Sequence, residues 1–502
     1  MGSADSEAEG LVSRSAVWGW RRGRRSFMKA GVAAALTTGA GVVAGCASAT
    51  RPTAVSQRIP LVFQAAAHGA YRFALPSQWP TAKQLLMTAL SPFLAKYPGI
   101  DLKLTNIAVD PVTAILAGTG PDIVQIESRA GLIQQGYLLD LSSYIKKSNL
   151  DVQSLYAGGS LGVAGSGGRV YALPYYTETT AMVVNLGILN QLGLDDPPAQ
   201  WDYIQWADWA RRVAVALPAA GGKGKTPAYA TTIMSVAGLT IPAGFYFAGW
   251  GGAIADPSDP GRCLLDSAAS VACGEFLFPL MIEGVAPPLY SGGGQMVPAE
   301  FVSGHQVSAV DQQGFALRDA MALGSVEWKY FPMPTWPKGA YNFTNANLVG
   351  ISVASKHADA AWELLQWIST DPAYERVMMH ATLYPPALRA LQAEWVGQVH
   401  AVAPVMVGKN VEVFAQMAVQ STLVPEFGTV FRASETQALS IISSSLRTVL
   451  DQKASVPFAF QQAAKSVNAL EEVAVQRASA AVAAKKTFPV VGPSVAQVAP
   501  AL

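Results

Sequence analysis

The stretch Gly168-Arg169-Val170-Tyr171-Ala172-Leu173-Pro174-Tyr175-Tyr176-Thr177-Glu178-Thr179-Thr180-Ala181-Met182-Val183-Val184-Asn185 holds two strand-forming runs, Val170–Leu173 and Met182–Val184, around a turn-rich middle. Working outward, the same strand signals recur between helical ones. Leu61–Phe63 is a short apolar run after Pro60, Ile100, Leu102 and Leu104 alternate as a strand, and Asp122–Ile126 reads as a buried strand. Thr81–Tyr97 carries Leu85, Leu86, Ala89, Leu90, Phe93 and Leu94 on one helical face and stops at Pro98-Gly99. Asp202–Val215 and Ala358–Ser369 are helices by the same periodicity, and Asp371-Pro372 supplies an N-cap and first-turn proline for another. Alternating β and α patterns predict α/β layers with mixed sheets.

The chain has 502 residues, 51% hydrophobic and 14% charged, with a formal net charge of +1. That length supports more than one core, and the apolar fraction excludes a disordered chain. Balanced charge argues against nucleic acid as a partner. Three cysteines are too few for a disulfide-stapled mini-domain or a zinc-finger array.

Residues 1–45 read as an address. Arg21, Arg22, Arg24, Arg25 and Lys29 precede a small, apolar run from Ala30 to Ala44, too short to span a bilayer core of about 30 Å. Arg24-Arg25-Ser26-Phe27-Met28-Lys29 resembles a twin-arginine export motif, and Val43-Ala44-Gly45-Cys46 resembles a lipobox, which implies a lipidated Cys46. Removing residues 1–45, with six basic and three acidic side chains, takes the net charge from +1 to −2. Residues 46–59 read as a tether, and the Ala/Val/Pro-rich residues from Gln476 onward as a loose tail. Nothing in residues 47–502 runs apolar for 18 residues. Outside the cytoplasm Cys263 and Cys273 either pair or stay as two buried thiols.

Catalytic motifs fail on context. Gly224-Lys225-Thr226 has Ala219 where a phosphate loop needs glycine, and Pro227 follows it. Gly158-Gly159-Ser160-Leu161-Gly162 lacks the flanking buried strand and helix of a nucleophile elbow. His68, His305, His357, His380 and His400 are scattered without metal-ligand spacing, so neither metal nor cofactor is expected. What remains is aromatic side chains near Gly/Pro punctuation, among them Tyr176, Tyr246, Trp250, Phe315 and Phe427, with amides and carboxylates nearby. Core packing accounts for any one of them. Together they suit a sugar, whose C–H face packs on rings and whose hydroxyls need planar donors and acceptors.

The order of several short motifs resembles that of family 1 extracellular solute-binding proteins, the maltose-binding-protein-like receptors of ABC sugar importers. They are Gly120-Pro121-Asp122-Ile123-Val124, the Gly168–Tyr175 segment, Asn185 with Leu192-Gly193-Leu194, Pro198 and Trp201, Gly249-Trp250-Gly251-Gly252, Phe301 with Gly304-His305-Gln306, Phe331-Pro332-Met333-Pro334, and Leu383-Tyr384-Pro385-Pro386. The resemblance covers most of residues 60–450. Val184 stands where the family usually has tyrosine.

The resemblance implies a two-lobed periplasmic-binding-protein fold of type II, with a ligand cleft between lobes joined by crossover hinge strands. It assigns residues 60–177 and 338–373 to lobe one and 180–333 and 375–475 to lobe two. Crossings then fall near Pro174–Thr180, Phe331–Gly339 and Asp371–Tyr374. It puts Gln125, Glu127, Ser128 and Arg129 at the cleft edge, and Glu178 where the family often has a sugar-contacting carboxylate. Asp311, Gln312, Gln313 and Phe315 come toward the cleft from the strand after Phe301–Gly304, Asn345 and Asn347 precede a strand Leu348–Val353 and are placed to bond hydroxyls, and Phe427 serves as an aromatic platform. His68 and Tyr71 lie in the first loop. The implied partners are a carbohydrate ligand, ABC permease subunits with a separate ATPase, and the membrane through the lipid, with the receptor itself a non-enzymatic monomer outside the cytoplasm. Competing readings are a non-sugar ligand (glycerol phosphate, polyamine or metal) and a secreted hydrolase using Ser160 or paired acids.

Overall fold

The computed structural model describes residues 58–65, 79–106, 111–127, 131–134, 136–156, 165–166, 168–217, 227–236, 239–256, 259, 261–289, 297–344, 347–383, 385–425, 431 and 435–486. Cys46, His68, Tyr71, Ser128, Arg129, Asn345 and Phe427 lie outside these residues, as do the Gly158–Gly162 and Gly224–Thr226 motifs.

Buried apolar residues gather around two separate main sheets, which define two lobes. In lobe one, β1 (Ile59–Ala65) lies parallel to β2 (Ile100–Asn106) and β3 (Ile123–Glu127). β4 (Ala172–Tyr176) and β9 (Asn347–Ile351) complete the sheet in the order β2-β1-β3-β9-β4. β9 runs antiparallel to both neighbours. Successive strand residues face opposite sides. Ile123, Val349 and Ile351 therefore join one core with Leu61, Phe63 and Leu365. Val124, Ile126 and Leu348 join another on the other face with Leu138 and Ala172. Helix α1 (Trp79–Lys96) buries Leu86, Leu90 and Phe93 against the first face. So does α6 (Ala358–Thr370), through Leu364, Leu365 and Ile368 at helical spacing.

In lobe two, β5 (Thr180–Asn185) is the centre of an antiparallel sheet, flanked by β6 (Ser308–Gln312) and β7 (Trp328–Phe331). A separate parallel pair joins β8 (Tyr341–Thr344) to β10 (Thr422–Pro425). The lobe-two core collects Val183, Trp206, Phe245, Phe278, Trp328 and Tyr330 from these strands and from α2 (Tyr203–Ala216), α3 (Gly244–Trp250) and α4 (Ala268–Ile282). Fully burying each large apolar side chain contributes about 1.5–3 kcal/mol.

Local signals explain where helices begin. Asp202 caps α2 with a full capping box, its carboxylate accepting from Gln205 N while Gln205 Oε1 accepts from Asp202 N. Asp371 caps α7 (Pro372–Thr382) by accepting from Ala373 and Tyr374 N–H. Asp202→Ala is expected to cost about 1 kcal/mol in urea unfolding; a loss below about 0.3 kcal/mol would contradict the cap.

Three sequence boundaries move. Phe331–Pro337 does not cross between lobes: Phe331, Met333 and Trp336 belong to the lobe-two core, and so does Phe343 on β8. The second crossing falls between Thr344 and Asn347, where the chain leaves β8 and enters β9. Lobe one's second segment also runs past residue 373. Tyr374, Ala387, Leu388 and Leu391 pack in its core, and Pro386 and Leu388 bridge to Tyr176 and Tyr156. The third boundary is the start of the tail. Helix α9 (Val456–Lys486) packs on α8 (Glu435–Leu450) and continues ten residues beyond Gln476. Cys263 and Cys273 are free, buried thiols; burial pushes the Cys263 thiol up to about 12 and the Cys273 thiol well above its usual value.

Candidate functional site

The first crossing passes from the end of β4 to the start of β5 through Thr177, Glu178 and Thr179, all buried. The middle read as turn-rich is an extended strap held from lobe two. Gln313 N donates to Thr179 O at 2.8 Å, and Thr179 N donates back to Gln313 Oε1 at 3.2 Å. The Thr179 hydroxyl lies against the same amide oxygen and against Phe414 O. Gly314 N, in the first turn of α5 (Gln313–Leu323), donates to Glu178 Oε2 at 2.9 Å. The carboxylate thus meets the electropositive end of a helix.

The second crossing meets the first across the lobe-one sheet. Asn347, the first residue of β9, pairs with Glu127 on one side and Tyr176 on the other. The end of β3, the end of β4 and the start of β9 therefore converge on the strap. Tyr176 sits edge-on to Tyr175 with ring centroids 5.4 Å apart. Four buried polar atoms here have no hydrogen-bond partner among the described residues: Thr177 Oγ1, Gln313 Nε2, Thr344 Oγ1 and Asn347 Oδ1. Buried polar atoms are usually paired, because an unmade bond costs about 1–3 kcal/mol. These four atoms, donors and acceptors both, lie on the residues that flank the two crossings.

Of the residues expected at a site, Tyr176, Glu178, Gln312, Gln313 and Asn347 gather at this junction, and Glu127 and Phe315 join it by backbone position. Gln125 lies two residues back on β3, buried and paired with Val349. Asp311 is turned into lobe two, where Tyr330 Oη donates to its Oδ2 at 2.7 Å. Burial and this carboxylate push the Tyr330 hydroxyl well above its ordinary range. Tyr246 and Trp250 are not at the junction. Glycine punctuation read as a loop is instead helix α3, ended by Gly251 in the left-handed conformation. Tyr246 is fully buried, its hydroxyl accepting from Met234 N, and its ring meets Trp336 edge-on at 5.2 Å. Trp250 packs against Tyr203, Phe276 and Trp336.

Sequence reasoning missed Thr177, Thr179, Thr180, Asn342 and Thr344. Threonine between two strands has no signal that separates a strap from a turn. Among the described residues no group of three His, Cys, Asp or Glu side chains is placed to hold a metal ion.

The model of a family described as bacterial extracellular solute-binding protein matches residues 77–375. A relative from Brucella abortus (strain 2308), named as a binding protein, is 23% identical over 297 residues, 55% of this chain. That match spans 66% of the relative's length, just under two thirds. The sugar-binding protein MalE of Xanthomonas citri superposes with a TM-score of 0.62 at 16% identity, over 84% of this chain and 99% of that one. A sugar transporter protein of Rhizobium etli in an open conformation gives 0.62 at 17%, over 82% and 99%. UgpB of Mycobacterium tuberculosis in complex with glycerophosphocholine gives 0.57 at 20%, over 84% and 99%. At these identities the likeness establishes the two-lobed fold.

Proposed function

The chain belongs to the bacterial extracellular solute-binding proteins, and from that premise we propose that it captures a mono- or oligosaccharide between its lobes for an ABC importer. The observation that carries the ligand class is the set of unpartnered buried atoms on Thr177, Gln313, Thr344 and Asn347, residues that flank the two crossings. Hydroxyls both donate and accept, so one polyol satisfies such a set without charge. Arg129 is the one basic residue among the expected site positions, a thin provision for a phosphate ligand. Aromatic faces beside the strap, Tyr176 among them, supply the apolar half of sugar recognition.

Ligand bridging both lobes favours the arrangement that makes more contacts, so binding shifts the population toward closure. The closed receptor delivers its sugar to permease subunits, with ATP hydrolysed by a separate subunit. The Arg24–Lys29 and Val43–Cys46 motifs support twin-arginine export and a lipid on Cys46, which would tether a monomeric receptor outside the cytoplasm.

Titration calorimetry and thermal melts against a saccharide panel, with a glycerophosphodiester arm, test this reading. A cognate sugar at a hundred times its Kd stabilises by about 2.7 kcal/mol. Heat and a raised Tm with at least one saccharide are expected. A response confined to the glycerophosphodiester, or none, would overturn the saccharide assignment.

A further inference from the structure

Lobe closure needs the crossings to bend together, yet among the described residues no backbone ladder pairs β5 with β8: β5 pairs with β6 and β7, and β8 with β10. A side chain spans the gap. Asn342, fully buried on β8, accepts at Oδ1 from Thr180 N at 3.2 Å, from the Thr180 hydroxyl at 2.5 Å and from Phe343 N at 2.7 Å. Its Nδ2 donates to Thr180 O at 2.9 Å. One amide therefore makes the two-way exchange with the Thr180 backbone that a strand pair would make. We infer that Asn342 and Thr180 form the hinge coupler of this protein, positioning residues that fix the lobe-two ends of two crossings in one register.

The placement is specific. Thr180 is the first residue after the strap Thr177–Thr179, and Asn342 lies two residues before the end of β8, where the second crossing begins. The unpartnered atoms nearby belong to Thr177, Gln313, Thr344 and Asn347, whereas both polar atoms of the Asn342 amide are engaged. Asn342 is thus equipped to join strands and not to meet a ligand. With the link cut, each crossing bends on its own, and the balance between lobe arrangements shifts although nothing that touches ligand has changed. This inference rests on the binding-protein reading, because it concerns lobe closure.

Thr180→Val removes the hydroxyl bond while keeping shape and the backbone bonds; Thr180→Ala removes it without the extra methyl, and Thr180→Ser restores it. Small-angle X-ray scattering of the ligand-free proteins reads the lobe arrangement with no ligand required. Thr180→Val and Thr180→Ala are expected to change the radius of gyration, and to change the Kd of whichever saccharide the panel identifies by about three- to tenfold, as for one buried hydrogen bond. Thr180→Ser is expected to match the parent chain in both. Variants that melt earlier but keep the parent's scattering curve would overturn the coupler and leave the saccharide reading standing. Altered scattering with no saccharide bound would do the reverse.

Discussion

Gly314→Ala is expected to lower unfolding stability by about 2–4 kcal/mol and to weaken ligand binding more than tenfold. The backbone at Gly314 is ordinary helix, so the glycine is not there for its conformational freedom. It is there for space. A Cβ at this position would overlap Glu178 Oε2, the atom that accepts the Gly314 N–H at 2.9 Å. Glu178 is buried in the strap, with Thr177 and Thr179 buried on either side, so its carboxylate has no solvent route of retreat. Displacing it breaks a charge-assisted bond at a helix N-terminus and leaves a buried carboxylate without that donor. The strap would then move where Gln313 holds Thr179, which carries the damage to Gln313 Nε2 and Thr177. A double-mutant cycle with Glu178→Ala isolates the clash. Coupling of more than about 1 kcal/mol between the two positions is expected, since the methyl has less to strike once the carboxylate is gone. A Gly314→Ala protein within about 0.5 kcal/mol of the parent, with unchanged affinity, would refute this account.

The residues of this strap illustrate what sequence carries and what it does not. The runs Val170–Leu173 and Met182–Val184 are legible as strands because side-chain type follows burial there, although the strands reach on to Tyr176 and start already at Thr180. That they belong to different lobes is not, because β9, whose Asn347 fixes the end of β4, comes from some 170 residues further along the chain. The resemblance misplaced the crossing at Phe331–Gly339. A motif such as Phe331-Pro332-Met333-Pro334 marks a turn but not which core receives the aromatics beside it, and Trp336 goes to lobe two. Alanine misled beyond Gln476. A segment without an apolar stripe still forms helix when its residues have high intrinsic propensity, as α9 does to Lys486. Glu178 was legible through resemblance alone. Its bond to Gly314 joins residues 136 positions apart, and no local pattern encodes that.

Stability is expected to fall as pH rises above the ordinary carboxylate range, and Glu375→Gln is expected to remove part of that slope. Glu375 lies in the first turn of α7 and is almost wholly buried. Its Oε2 accepts from Leu388 N at 3.1 Å, and the backbone of Ala387 also bonds to the carboxyl. These bonds favour the charged form, but burial outweighs them and holds the carboxyl well above its usual value. The neighbouring Tyr156 and Tyr374 hydroxyls are pushed up as well, chiefly by burial and then by Glu375. The sign follows from proton counts. In the unfolded chain Glu375 ionises at about 4.3, whereas in the folded protein burial holds its proton to higher pH. Above that pH the folded state binds more protons, so this group's stabilisation is complete at acid pH. It is lost at up to about 1.4 kcal/mol per pH unit until the raised folded value is passed. Glutamine keeps an acceptor for Leu388 N–H and has no proton to lose. Other carboxylates contribute slopes of their own, so the informative quantity is the difference between parent and variant. Urea unfolding from pH 4.5 to 7.5 should show that difference growing in favour of Glu375→Gln; parallel curves would mean that Glu375 is ionised in the folded protein. The effect reaches the site through the backbone: the Pro386–Leu388 segment that Glu375 anchors bridges to Tyr176, the last residue before the strap.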